Sequence, residues 1–430
     1  MPAEASCAAH DPQPKGLPSV VPPSGKEIAR LFLTPLLIVI GLVIPLLGFF
    51  WLFGGAWTPE DYLVKLDDPN SDVRWRAAEY LAQTLLRDDN LASNPKFGLD
   101  LAQRLQESWD RNAHAERGLA NKQGQQSRTE LVRENQALEP GRDHVLYLGS
   151  CLGSLTIPVG ARVLSRLAST TGEAEPGIAI RRRWQALWAL ANLGDNLKRF
   201  QRLISARQEM VLAELGAEAA GAGERAEWAR AALNYLEGPQ AGRLSGLGVD
   251  KALLSCAQDR NPFLREIAAF ALNFWEGDTS ERAKLEQVLA KLAVDGGQGE
   301  EGVTELRAEE GTAQESITRV PGLKIRYNAT VALARRGSDL VRLDVLQEML
   351  DEPLQRQNFV LRGRNGEEAA DEATAQVTVA SALQAVAELH RKKPQRDLAK
   401  LGLVIDEVAH SKNPALQAEA MRTLKALERN

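Results

Sequence analysis

Gly149, Cys151 and Gly153 stand at the spacing of a nucleophile elbow, G-x-C-x-G, where a strained strand-to-helix turn holds a thiol out for attack. That chemistry needs a strand before the cysteine and a base beside it. The surrounding VLYLGSCLGSL carries helical spacing, and no histidine has an evident claim to partner the thiol, so a buried cysteine at a helix crossing is the expected role. Asp68, Asn70, Asp72 and Glu79 match positions 1, 3, 5 and 12 of a calcium loop. The glycine required at position 6 is Val73, so this stretch predicts a capped helix start, with Ser71 and Asp72 satisfying free N–H groups. The five histidines, His10, His114, His144, His390 and His410, show no metal-ligand spacing, and the three cysteines build neither a four-thiolate zinc site nor a disulfide framework. No catalytic residue, cofactor or metal is expected.

Four arginines recur in equivalent surroundings: Arg74, Arg183, Arg265 and Arg326. Two readings stand: they line a groove for a partner, or they form an internal ladder of charge-assisted hydrogen bonds between neighbouring elements. The ladder is preferred, because charge-assisted pairs at a repeated turn need no ligand.

The elements that carry these residues are helical, with apolar positions such as Val73, Ala77, Tyr80, Leu81 and Leu85 at helical spacing and no convincing run of alternating strands. Three segments align without gaps: DVRWRAAEYLA from Asp72, FLREIAAFALN from Phe263 and KIRYNATVALA from Lys324. Each sets an aliphatic residue, then arginine, then small alanines (Ala77, Ala268, Ala329), then leucine (Leu81, Leu272, Leu333). Looser copies start at Arg181, Ala373 and Asn413, and the turns DPNSD, DRNP and SKNP rhyme. An aspartate stands six residues before the arginine in Asp68/Arg74 and Asp259/Arg265.

This pattern resembles the HEAT-repeat family over most of residues 58–430. The resemblance implies an all-α, α-solenoid fold of antiparallel helix pairs, each burying its open face on its neighbour. It also implies the Asp–Arg ladder, and almost nothing about activity. Among HEAT-like enzymes, deoxyhypusine hydroxylases hold iron with His-Glu pairs, and no His-Glu dipeptide occurs here. Alkyl-purine DNA glycosylases use a basic groove with aromatics. Trp75, Trp184, Trp188, Trp228 and Trp275 would supply rings, but 52 basic against 57 acidic residues and a pI of 5.8 argue against nucleic acid. Phycobilin lyases remain open as a comparison, with nothing local that marks a tetrapyrrole site. Polar inserts at 111–143, 294–316 and 362–374, and a shorter one from Gly216, are read as surface loops or long inter-helix connections.

Residues 31–53, LFLTPLLIVIGLVIPLLGFFWLF, form the most specific feature. As a helix these 23 residues reach roughly 34 Å, enough for a hydrocarbon core of about 30 Å. Seventeen are Leu, Ile, Val or Phe. Pro35 and Pro45 are tolerated in membrane helices, and Trp51 and Trp57 suit an aromatic belt, with Arg30 at the opposite interface. One transmembrane helix is therefore expected within 28–57, after a proline-rich disordered tail over 1–27. Gly54-Gly55-Ala56 keeps a cleaved signal peptide as the competing reading. Lys15, Lys26 and Arg30 precede the span and Lys65 alone closely follows it, which favours a cytoplasmic N-terminus and an extracytoplasmic, periplasm-like C-terminal body.

With 44% hydrophobic residues, 25% charged and a net charge of −5, the 430-residue chain has the composition of a folded, mildly acidic protein. The function expected is a single-pass membrane scaffold or adaptor that binds a protein or peptide. The alternative is a HEAT-like lyase-type enzyme or small-ligand binder at the membrane.

Overall fold

The computed structural model describes residues 33, 39–44, 58–122, 127–170, 176–238, 241–296, 314–363 and 365–428. The chain divides into two compact units, Met1–Thr58 and Pro59–Asn430. In the first, residues 33 and 39–44 are helical and exposed. The rest of the expected span, the expected tail, and Arg30, Trp51 and Trp57 lie outside the described residues. Among the described residues no helix is long and apolar enough to cross a membrane.

The second unit is predominantly helical. It opens with α1 (Pro59–Leu66), α2 (Ser71–Arg87), the single turn α3 (Asp89–Ala92), α4 (Pro95–Lys122) and α5 (Arg128–Gly153). A 3₁₀ turn (Pro158–Gly160) leads into α6 (Ala161–Ser169), α7 (Pro176–Phe200), α8 (Ser205–Ala219) and α9 (Gly223–Leu236). Then come α10 (Val249–Ala257), α11 (Pro262–Ala271), α12 (Thr279–Leu292), β1 (Gln314–Thr318), α13 (Leu323–Arg336), α14 (Leu343–Leu350) and α15 (Glu352–Asn358). The chain finishes with β2 (Phe359–Gly363), β3 (Glu368–Ala370), α16 (Glu372–Lys392), α17 (Ala399–Val408) and α18 (Pro414–Leu427).

Local chemistry sets where these helices start. Asn70, Asn261 and Asn413 each turn a side-chain oxygen onto the first free N–H groups of α2, α11 and α18. Pro262 and Pro414 then occupy the first turn, where a missing N–H costs nothing. Full capping boxes, Ser127 with Glu130 and Asp278 with Glu281, open α5 and α12. At the calcium-like stretch the cap is Asn70, one residue before the pair expected from sequence.

The helices pack in a repeating order. Helices α2, α5, α7, α11, α13, α16 and α18 each pack against the next. Against them, in turn, lie α1, α4, α6, α10, α12, α14 and α17. The α8–α9 hairpin departs from this order and packs onto α4 and the 3₁₀ turn. The aligned alanines and leucines do equivalent work. Ala77, Ala268 and Ala329 are buried at the crossings, and Leu81, Leu272 and Leu333 are wholly buried beside them.

The polar stretches differ from the loops expected of them. Residues 111–122 complete α4 and 128–143 begin α5, and the stretch from Gly216 ends α8 and starts α9. Their polar residues are absorbed by pairing rather than by solvent alone, as Glu116 and Arg142 show below. Where no strand was expected, β1, β2 and β3 form a small antiparallel sheet in that order. Ser316 lies opposite Leu361, and Val360 opposite Ala370. Asp371 joins this sheet to α16, because its carboxylate caps Thr374 N (3.0 Å) and accepts from Ser316 Oγ (2.6 Å). Within the 294–316 and 362–374 stretches the sheet uses Gln314–Ser316, Arg362–Gly363 and Glu368–Ala370. Residues 297–313 lie outside the described residues.

Candidate functional site

Each of the four arginines bonds within the body, and each does so differently. Arg74 Nη1 donates to the carbonyls of Asp68 (2.7 Å) and Pro69 (3.1 Å), and its Nη2 to that of Pro140 on α5 (3.2 Å). Arg265 repeats the first part: Nη1 donates to the carbonyls of Asp259 and Arg260, both at 3.0 Å. It then grips Asp295, just past α12, through Nε (2.7 Å) and Nη2 (3.2 Å). Arg183 on α7 donates to Ala168 O at 2.9 Å and pairs with Asp259 at 2.8 Å. Arg326 on α13 holds both carboxylate oxygens of Glu348 on α14 (2.8 and 2.7 Å), where Tyr327 OH also donates at 3.0 Å.

The aspartate six residues upstream therefore acts through its main chain. Asp68 and Asp259 offer their carbonyls to the arginine, while their carboxylates accept from Asn70 N (2.8 Å) and Asn261 N (2.9 Å). Asp259 also takes Arg183 from the preceding pair, so α7 and the α10–α11 turn are joined by one carboxylate.

The elbow-like motif serves packing. Cys151 lies in the last turn of α5, fully buried, with Sγ 3.5 Å from Ala78 O. Burial pushes its thiol up to about 12, far from a thiolate at neutral pH. A Cβ on Gly153 would stand 2.9 Å from Ala189 O and 3.0 Å from Ala189 Cα, so the glycine is required by the close approach of α5 and α7. Cys256 is equally buried, and burial raises its thiol against the pull of Arg183. Among the described residues no three His, Cys, Asp or Glu side chains are grouped to hold a metal.

Three features escaped the sequence reading. Glu116 on α4 sits between Arg142 Nε on α5 (2.9 Å) and Arg182 Nη2 on α7 (2.6 Å), all three side chains under 10% exposed. Arg182 also lies over the Trp109 ring at 4.8 Å. Next, a strip of rings runs from α7 to the end of α11: Trp184 stacks on Trp188 (5.7 Å), Trp188 on Phe270 (5.5 Å), and Phe274 meets Phe270 edge-on. Trp188 is 39% exposed, and Lys198 caps the strip over Phe274. The spacing of Trp184 and Trp188 announced packing, but not the partner helix.

The third feature is a polar cavity of about 460 Å³ between the α1–α2 turn, α2, α4 and α5. Arg74, Arg104, Arg111 and His144 line it. Arg104 pairs with Asp67 across its rim. Burial, and then the charges of Arg74, Arg111 and Arg104, press the His144 imidazole down to about 4, so it is neutral at pH 7. Its histidine signal was visible in sequence, but its neighbours come from four separate segments.

No protein-family model matches the chain. No curated protein matches it either.

Proposed function

We propose that the chain is a membrane-tethered scaffold or adaptor of the HEAT-like α-solenoid kind, which binds a protein or peptide partner and carries out no catalysis itself. The observation that carries the reading is the serial packing of helix pairs, with the same Asn-capped turn and carbonyl-bound arginine at Arg74 and Arg265. Stacked pairs with a common turn are how solenoids extend a surface, and such surfaces serve recognition. The four arginines already have internal partners, so they belong to the ladder, and contact with a partner falls to exposed positions such as Trp188 and Val377. The apolar stretch 31–53 would hold this body at a membrane, with the N-terminus cytoplasmic and the body extracytoplasmic. Tethering raises the local concentration of other membrane-bound partners without any added contact.

Photo-crosslinking residues placed at Trp188 and Val377 of the full chain in native membranes test the binding reading. One partner captured from both positions is expected, and capture from neither overturns it. Protease access to a C-terminal tag, in cells stripped of their outer barrier, tests the placement. Cleavage is expected; protection until the membrane is lysed reverses the orientation.

A further inference from the structure

The exposed apolar side chains of the second unit are spread unevenly. Among the described residues α2 exposes three large ones, Trp75 (47%), Tyr80 (56%) and Leu86 (56%), and no other helix of this unit exposes more than one. Trp75 and Leu86 stand eleven residues apart, about three helical turns, and so lie on one line along α2. Their face is turned away from Ala77, Ala78, Leu81 and Leu85, which enter the core. α2 is also the first of the helices that pack in series. Terminal helices of stacked-pair proteins ordinarily present a polar outer face. α18, last in the series, exposes a single large apolar residue, Met421. Arg76 and Arg87 share the exposed face of α2 with Asp72 and Glu79, so the face has no net charge and its apolar residues choose the partner.

We infer that this face of α2 lies on the lipid headgroup layer of the membrane that holds residues 31–53, an inference that rests on the tethered reading. Chain length argues for it. Pro59 is six residues beyond Phe53, a backbone reach of at most about 20 Å, so a membrane-held stretch keeps α1, and α2 packed on it, beside the bilayer. Side-chain type argues for it as well. Tryptophan and tyrosine have an apolar body and a polar tip, and they settle where membrane meets water. Leu86 adds apolar area on the line of Trp75, and the long stems of Arg76 and Arg87 let their guanidinium groups stay at headgroup level. A modest apolar contact is sufficient here, because tethering already holds the lipid at high local concentration. Seating α2 in this way gives the body one orientation on the membrane.

The test reconstitutes the full chain into phosphatidylcholine vesicles, with a photo-crosslinking residue at one position at a time, and detects lipid adducts by mass spectrometry. Adducts are expected from Trp75 and Leu86 on α2 and from Leu42 in the apolar stretch, and none from Met421. Trp75→Glu combined with Leu86→Glu should abolish the adduct from a probe at Gln83 while leaving the melting temperature unchanged, because both side chains are exposed. An adduct at Gln83 that survives those substitutions overturns the inference. Adducts from Leu42 with none from Trp75 and Leu86 overturn it too, and leave the tether standing. Adducts from none of the three overturn the tether, and the inference falls with it. A crosslink from Trp75 or Leu86 to a second copy in place of lipid overturns the lipid contact, as does an adduct at Met421 as strong as that at Trp75.

Discussion

His144 and Gly153 show how single residues are fixed by what surrounds them. The His144 imidazole titrates near 6.5 when unfolded and at about 4 in the folded protein, where burial and then three guanidinium charges oppose its protonation. Between those values the unfolded chain binds more protons, so folding stability falls as pH is lowered from 6.5 towards 4. The shift amounts to about 3 kcal/mol, fully present above pH 6.5. Urea melts of the wild type and His144→Gln at pH 7 and pH 4.5 check this: the variant should lose markedly less stability on acidification. Gly153 makes a different prediction. Gly153→Ala drives a methyl group into the Ala189 backbone, which has no side-chain rotamer to yield, and should cost about 1–3 kcal/mol. Gly149→Ala, whose Cβ would meet only Leu164 at 3.8 Å, should be close to neutral in the same thermal melt.

At the scale of the element, the turn before α2 and the turn before α11 are the same device with different consequences. Removing Arg265 takes from Asp295, whose side chain is 14% exposed, a guanidinium that grips it through two nitrogens. Removing Arg74 strands only carbonyl oxygens. Arg265→Ala should therefore cost about 3 kcal/mol or more, and Arg74→Ala about 1–2 kcal/mol, read by chemical denaturation. Equal losses would show that the carboxylate adds nothing to the turn. This comparison also marks what the sequence revealed. The alignment of Arg74, Arg265 and Arg326, and of the alanines and leucines behind them, was legible because helix-crossing sterics impose residue types at fixed local spacing. Spacing reports that Asp68 and Arg74 are near, but not whether the main chain or the side chain makes the bond. Asp295 and Glu348 lie 30 and 22 residues from their arginines, where register depends on how whole helices stack. The strands were missed because Gln314–Thr318 is short and mostly polar, and its partner β2 lies beyond α13, α14 and α15. The cavity was illegible for the same reason, assembled from the 67–69 turn, α2, α4 and α5.

For the whole molecule, the serial order of packing makes a mechanical prediction. The final pair, α17 and α18, packs mainly against its neighbours α14 and α16 and against itself, with Thr423 reaching Leu383 O at 3.4 Å and Ser411, in the turn between them, donating to Glu352 on α15 at 2.7 Å. If stability is a sum of pair and interface contributions, removing residues 394–430 exposes one interface and leaves the earlier pairs intact. The buried Glu116–Arg142–Arg182 cluster lies far earlier in the chain, on α4, α5 and α7, and so should be untouched. The truncated protein should then keep its helicity per residue and unfold in one transition at a lower temperature, measured by circular dichroism. Glu116→Gln, which takes the carboxylate from buried Arg182 and leaves buried Arg142 with Glu139 alone, should destabilise the full and truncated chains alike, by about 3 kcal/mol. A single undivided core would behave otherwise. There the truncation would abolish the cooperative transition, and the effect of Glu116→Gln would depend on whether the last pair is present.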